Sequence, residues 1–154
     1  MRIDQQYTKT FLVRWGVVLL TVTLYTVALY LPAHFEGPFL DGPGKLYSGL
    51  DCLFVPFTEP LSIIICPYWW ANPLFAIGLL CFIFKVDHAT ITLVFIAIAH
   101  ASAYLLAHGL PGCQHYPAFY FWFASLSALW LGALGLFIHS LSNLQTDEPA
   151  RTCA

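Results

Sequence analysis

Apolar positions gather into four runs, separated by polar or proline-rich breaks, and these predict helices over about 12–31, 69–85, 90–108 and 117–138. Ala118 to Ile138 carries no charge, and neither does Trp15 to Leu31, so each approaches the roughly 20 residues that a bilayer-spanning helix needs. Between the first two runs, 33–67 has a different texture. Ala33 to Gly44 is rich in glycine and proline and reads as a loop. Leu46, Tyr47, Leu50, Leu53, Phe54 and Phe57 then fall at helical spacing opposite Ser48, Gly49, Asp51 and Cys52. That amphipathic piece is too short to span, and its pattern suits the plane of a membrane interface, with Pro56 as its stop. Leu61 to Cys66, held between two prolines, reads as a re-entrant or interfacial segment.

The second run is introduced by Pro67-Tyr68-Trp69-Trp70-Ala71-Asn72-Pro73. Tyrosine and tryptophan favour the membrane–water boundary, because the ring is apolar while its O–H or N–H still seeks water. Asn72 is a good N-cap residue and Pro73 a good first helical residue, so Trp69, Trp70, Asn72 and Pro73 are expected to form a structural entry point. Counted from Pro73 to Lys85 the helix is only about 18 Å long, short of the ~30 Å hydrocarbon core. Counted from near Tyr68 it becomes adequate.

Charged residues make up 9% of the 154 and apolar residues 59%, against about 25% and 45–50% in soluble proteins. The expected fold is therefore all-α, a single membrane domain over 1–154, organised as a four-helix bundle with an interfacial segment between its first two spans. A cleaved signal peptide suits the first run less well, because Tyr25, Tyr30 and Pro32 occupy the place of a small-residue cleavage site. With four spans both termini share a side. That side carries Arg2, Lys9, Arg14, Lys85 and Arg151, the other only Lys45, which puts both termini in the cytoplasm of a bacterial inner membrane. A net charge of −2 comes with no basic run to hold a nucleic acid or an anionic lipid surface, so no nucleic-acid partner is expected.

Candidate chemistry is sparse. His100, Tyr104 and His108 recur every fourth residue along the third span, on one stripe. Ionisable groups inside a membrane usually face a bundle interior and often have a function. A histidine pair is the minimum for a haem b or metal-binding redox protein, with His100 and His108 as cofactor residues. No second histidine shares the depth of His100; His34 and His115 lie towards the outer face, His88 and His139 towards the inner. The simpler expectation is a neutral His100 facing the interior and hydrogen-bonded to another span, with Ser125, Ser127, Thr21 or Thr23 as partner. Of the five cysteines, Cys52, Cys66 and Cys113 lie outside, where Cys66–Cys113 or Cys52–Cys66 is a possible disulfide, while Cys81 and Cys153 stay reduced. No Cys-x-x-Cys, Ser-His-Asp spacing, phosphate-binding glycine loop or His-Glu-x-x-His occurs, so no catalytic residue and no resident metal site is assigned. Glu36, Asp41, Asp51 and Glu59 read as solvated surface. Ala124, Ala128 and Gly132, and Ala99, Ala103 and Ala107, form two small-residue series that allow close helix packing, on each other or on a partner.

The stretch Trp70-Ala71-Asn72-Pro73-Leu74, with Tyr120-Phe121-Trp122-Phe123-Ala124-Ser125 and Ser48-Gly49-Leu50-Asp51-Cys52-Leu53, resembles a loose group of small uncharacterised four-span bacterial inner-membrane proteins. The resemblance implies topology and no activity. The leading functional expectation is non-enzymatic: an accessory, assembly or immunity-type subunit that binds the lipid bilayer and another integral membrane protein or itself. The alternatives are the haem or metal redox protein and a small transporter, whose polar path would begin at His100 and Asn72.

Overall fold

The computed structural model describes residues 2–36, 45–58, 67–108 and 117–151. They form five α-helices and one small hairpin: α1 (Arg2–Tyr30), β1 (Pro32–Glu36), β2 (Lys45–Ser48), α2 (Gly49–Thr58), α3 (Ala71–Ile83), α4 (Asp87–His108) and α5 (Pro117–Arg151). A 3₁₀ turn, Pro67–Trp70, leads into α3. The protein is thus predominantly helical, as the apolar runs predict.

α1, α3, α4 and α5 share one core, and each contributes a seam of three- and four-residue steps, with one seven-residue step on α1 from Thr21 to Ala28. The seams are Arg14, Val18, Thr21 and Ala28 on α1, and Ala71, Phe75, Gly78 and Phe82 on α3. On α4 they are Thr90, Val94, Ala97 and Ala101, and on α5 Leu126, Leu129, Ala133 and Leu136. Such spacing keeps one stripe facing its neighbours over several turns. The small residues sit where helices cross. A side chain at Gly78 would meet Val94 at 2.6 Å, and one at Gly132 would meet Val17 at 2.5 Å. Thr90 adds a hydrogen bond to the Gly78 carbonyl, 3.2 Å, across the same α3–α4 contact.

The buried alanines of α4 are Ala97 and Ala101, whereas Ala99 is exposed, as is Ala124 on α5. One member of each small-residue series, Ala99 and Ala124, therefore lies off the packed faces.

The expected loop over 33–44 is corrected at its start, where 33–36 belong to strand β1, while 37–44 lie outside the described residues. β1 and β2 pair antiparallel, with Pro32 opposite Ser48 and Glu36 opposite Lys45, and an irregularity between Pro32 and His34. The turn-forming glycines and prolines are concentrated between the strands rather than within them. Ser48 then opens α2 through a reciprocal cap: its Oγ accepts from the Asp51 amide at 3.2 Å, while its own amide donates to Asp51 Oδ2 at 2.9 Å. The Gly49 amide donates to the Leu31 carbonyl, 3.0 Å, which seats α2 against the end of α1. Pro56 does not end α2, which continues to Thr58. α5 likewise runs through the expected polar tail to Arg151, and α1 begins at Arg2, well before its apolar run.

The turn between α3 and α4 is three residues long, Phe84–Val86. Lys85 adopts a left-handed conformation, φ 65°, while its amide donates to the Phe82 carbonyl and the Val86 amide to Cys81, 2.8 Å. This is a helix C-terminal motif that glycine usually supplies, here built with lysine.

Candidate functional site

The polar groups of the core collect at two levels. At the level of the α3–α4 turn, Arg14 is buried at 7% exposure. Its Nη1 donates to Asp87 Oδ1 at 2.6 Å and to the Phe82 carbonyl, and its Nη2 donates to Asp87 Oδ2 at 2.8 Å. The guanidinium also lies 4.6 Å from the centre of the Phe82 ring. Two helix ends meet here. The Phe82 carbonyl belongs to the last turn of α3, the negative end of its dipole, and Asp87 is the first residue of α4, at a positive end. Arg14 satisfies the first and neutralises the second, so one side chain from α1 holds the whole turn. Nearby, Lys85 Nζ donates to the Tyr7 hydroxyl, 3.0 Å, and rests 4.9 Å from that ring.

At the other level, Asn72 Oδ1 accepts from the Tyr25 hydroxyl at 3.1 Å and from Trp122 Nε1 at 3.0 Å. One amide oxygen thus joins α1, α3 and α5. Tyr25 also stacks on Phe75, with ring centres 4.9 Å apart and planes at 12°. This corrects the cap assignment. α3 starts at Ala71 with Trp70 as N-cap and no side-chain capping bond, because the preceding 3₁₀ turn already supplies helical backbone. Asn72 turns inward instead. Trp69 Nε1 donates to the Leu53 carbonyl, 3.2 Å, which fixes the 3₁₀ turn to α2, and Pro73 follows Asn72 within the first turn of α3. Phe54, Phe57, Trp69 and Trp70 form a chain of edge and tilted ring contacts, 5.9–6.3 Å between successive centres.

Among the described residues His100 makes no hydrogen bond to another helix. Its Nδ1 lies 2.8 Å from the carbonyl of Ile96 in its own helix, one turn back. The proposed partners are occupied locally: Ser125 donates to the Trp122 carbonyl and Ser127 to the Phe123 carbonyl. Thr21 Oγ1 and Trp130 Nε1 are buried with no hydrogen-bond partner among the described residues. His108 is the last residue of α4, and its side chain, like that of Tyr104, lies outside the described set. Among the described residues no group of three His, Cys, Asp or Glu is placed to hold a metal ion.

Cys52 and Cys81 are free thiols, which removes the Cys52–Cys66 pairing. Cys66 and Cys113 lie outside the described residues, as does the 61–66 segment. Burial, followed by the neighbouring charge of Asp51, pushes the Cys52 thiol up to about 11, so it stays protonated and weakly nucleophilic near neutral pH.

Arg14 and Asp87 were legible only as charges on either side of apolar runs, and nothing in their spacing signalled that they meet. Asn72 was noticed for a different role. Both levels tie helices to one another. Neither presents a nucleophile beside a base, nor an open donor set at which a reacting atom would sit. The chain matches no family model, no curated protein and no solved structure.

Proposed function

We propose that this chain is a four-span integral protein of a bacterial inner membrane, both termini cytoplasmic, acting as a non-enzymatic accessory or assembly subunit that binds another membrane protein. The observation that carries the reading is an inverted polarity. The polar ties of Arg14–Asp87 and Tyr25–Asn72–Trp122 point inward, while Leu19, Tyr30, Phe84, Phe95, Leu131 and Ile138 are exposed. Water would penalise such a surface, and lipid would not.

Length supports it. Tyr7–Tyr30 and Pro117–Asn143 are long and apolar enough to cross a membrane, and only 17% and 28% of their apolar windows are buried, unlike the core helix of a soluble protein. α3 alone is short, but with its 3₁₀ turn it extends about 28 Å, near the hydrocarbon thickness. Exposed Tyr7 and Trp15 at one end, and Tyr30, Trp70 and Tyr120 at the other, have the placement of interfacial aromatic belts.

For the partner, the support is the outward face of small residues at Ala99 and Ala124, which the chain does not use for its own packing. Close helix approach in lipid depends on such faces.

The test is topology and company. Reporter fusions after Gly44 and Asp147 should read outside and inside, and detergent rather than carbonate should be needed to release the chain from membranes. Purification in mild detergent should retain a second integral membrane protein. Release by carbonate would sink the membrane reading, and a chain that purifies alone would sink the subunit reading.

A further inference from the structure

α1 and α5 pack antiparallel. Val17 meets Gly132, and one turn further along Val13 lies beside Gly135 and Leu136, with Lys9 and His139 beyond them. These last residues line a groove of about 370 Å³, within the roughly 300–1,000 Å³ range of small-molecule sites. Its shape follows from its two glycines. At Gly132 the Val17 side chain fills the space a Cβ would need, so the helices touch and the groove closes. At Gly135 nothing lies within 4 Å of that position, so the missing side chain leaves the floor open. Val13, Leu131 and Leu136 make its walls apolar, and its polar lining side chains are Lys9, Thr10 and His139.

The mouth is cationic. Lys9 is exposed and has no ion pair or hydrogen bond among the described residues, whereas Arg14 is held by Asp87 and Lys85 by Tyr7. His139 supplies a ring nitrogen, and its other polar neighbour is Asn143, at 3.4 Å. Among the described residues no carboxylate lines the groove. An unpaired cation at the mouth of an open apolar channel complements one kind of molecule, an anion carrying a hydrocarbon chain.

We propose that the groove binds an anionic phospholipid of the cytoplasmic leaflet. One acyl chain lies over Gly135 between Val13 and Leu136, and the phosphate sits at Lys9 and His139. The assignment rests on the membrane reading above, which places this end of α1 and α5 at the cytoplasmic surface, where basic pockets between helices bind such headgroups.

The experiment is thermal unfolding of the purified full chain in neutral detergent micelles, with added phosphatidylglycerol or phosphatidylcholine of identical acyl chains. Phosphatidylglycerol should raise the Tm of the wild type by about 2–4 °C more than phosphatidylcholine. Lys9→Gln combined with His139→Gln, both at exposed positions, should abolish that difference. Gly135→Leu, whose Cβ meets nothing within 4 Å and whose side chain fills the floor, should remove the response to both lipids. Equal shifts with the two lipids in the wild type, or an undiminished difference in the double variant, would overturn the proposal. So would glycerol phosphate alone reproducing the shift, since the site would then hold a free anion. A chain that needs detergent for release from membranes but has no lipid preference defeats only the groove, while a chain released by carbonate defeats the membrane reading with it.

Discussion

Arg14 and Asp87, 73 positions apart in the chain, meet in a two-pronged ion pair at 2.6 and 2.8 Å. Their side chains are 9% and 16% exposed, so the charges are shielded from water and depend on each other. The pair ties α1 to the first residue of α4 and, through the Phe82 carbonyl, to the last turn of α3.

Removing one partner leaves the other charge buried and uncompensated. Arg14→Met or Asp87→Leu is therefore expected to destabilise the protein by about 3–5 kcal/mol, and the two combined by clearly less than the sum of the singles. Arg14→Lys should rescue poorly, because an ammonium cannot make the two parallel bonds. Denaturant unfolding of the four variants checks this, and strict additivity would contradict it.

Asn72 is the acceptor for two donors on different helices. Asn72→Leu should cost about 2–4 kcal/mol, since the Tyr25 hydroxyl and the Trp122 indole are both orphaned. Tyr25→Phe removes one donor and leaves the amide bonded to Trp122, so it should cost nearer 1 kcal/mol. Thermal unfolding gives the ranking, and an altered tryptophan emission should accompany Asn72→Leu. If Asn72 instead acted as a helix cap, Tyr25→Phe would have no effect.

Two glycines of α5 differ in what surrounds them, as does Gly49 of α2. A Cβ at Gly49 would lie 2.2 Å from the Ala28 carbonyl oxygen, a backbone atom that cannot swing aside. Gly49→Ala should destabilise by about 1–3 kcal/mol and loosen α2 from α1. Gly135→Ala meets nothing and should stabilise α5 by about 0.5–1 kcal/mol, through the helix preference alone. Gly132→Ala should fall between them, since the 2.5 Å neighbour is a Val17 methyl that can shift.

His100 bonds a carbonyl of its own helix, so no other element depends on it. His100→Gln and His100→Leu are both expected to change stability by no more than about 0.5 kcal/mol. A large loss in Leu but not Gln would point to a polar partner on another span.

Cys52 should alkylate slowly at pH 7–8 and faster as pH rises towards its value of about 11, because only the thiolate reacts and burial disfavours that form. A maleimide rate profile that levels off near pH 8.5 would mean an exposed, ordinary thiol.

The helices of this protein are written in its apolar runs. A charge-free apolar stretch as long as Ala118 to Ile138 is far longer than a strand and matches a helix, so α5 was visible before any neighbour was known. The Ser48–Asp51 cap is local too, and the amphipathic spacing from Leu46 to Phe57 located α2 to within a few residues. Helix ends were less legible. α1, α2 and α5 all outrun the apolar signal, because polar residues such as Asp4, Gln5 and Gln145 continue a helix at little cost once it is nucleated.

What only tertiary structure decided is which polar side chain meets which. Arg14 with Asp87, and Asn72 with Tyr25 and Trp122, lie 47 to 73 positions apart, and their partnerships depend on how far each helix is rotated about its axis. Rotation is set by the fit of small residues, Gly78 against Val94 and Gly132 against Val17. Periodicity can name a stripe without saying which neighbour it faces. That is why Ala99 and Ala124 looked like packing positions and proved to be exposed, and why His100, mid-helix and polar, found its partner one turn away in its own backbone.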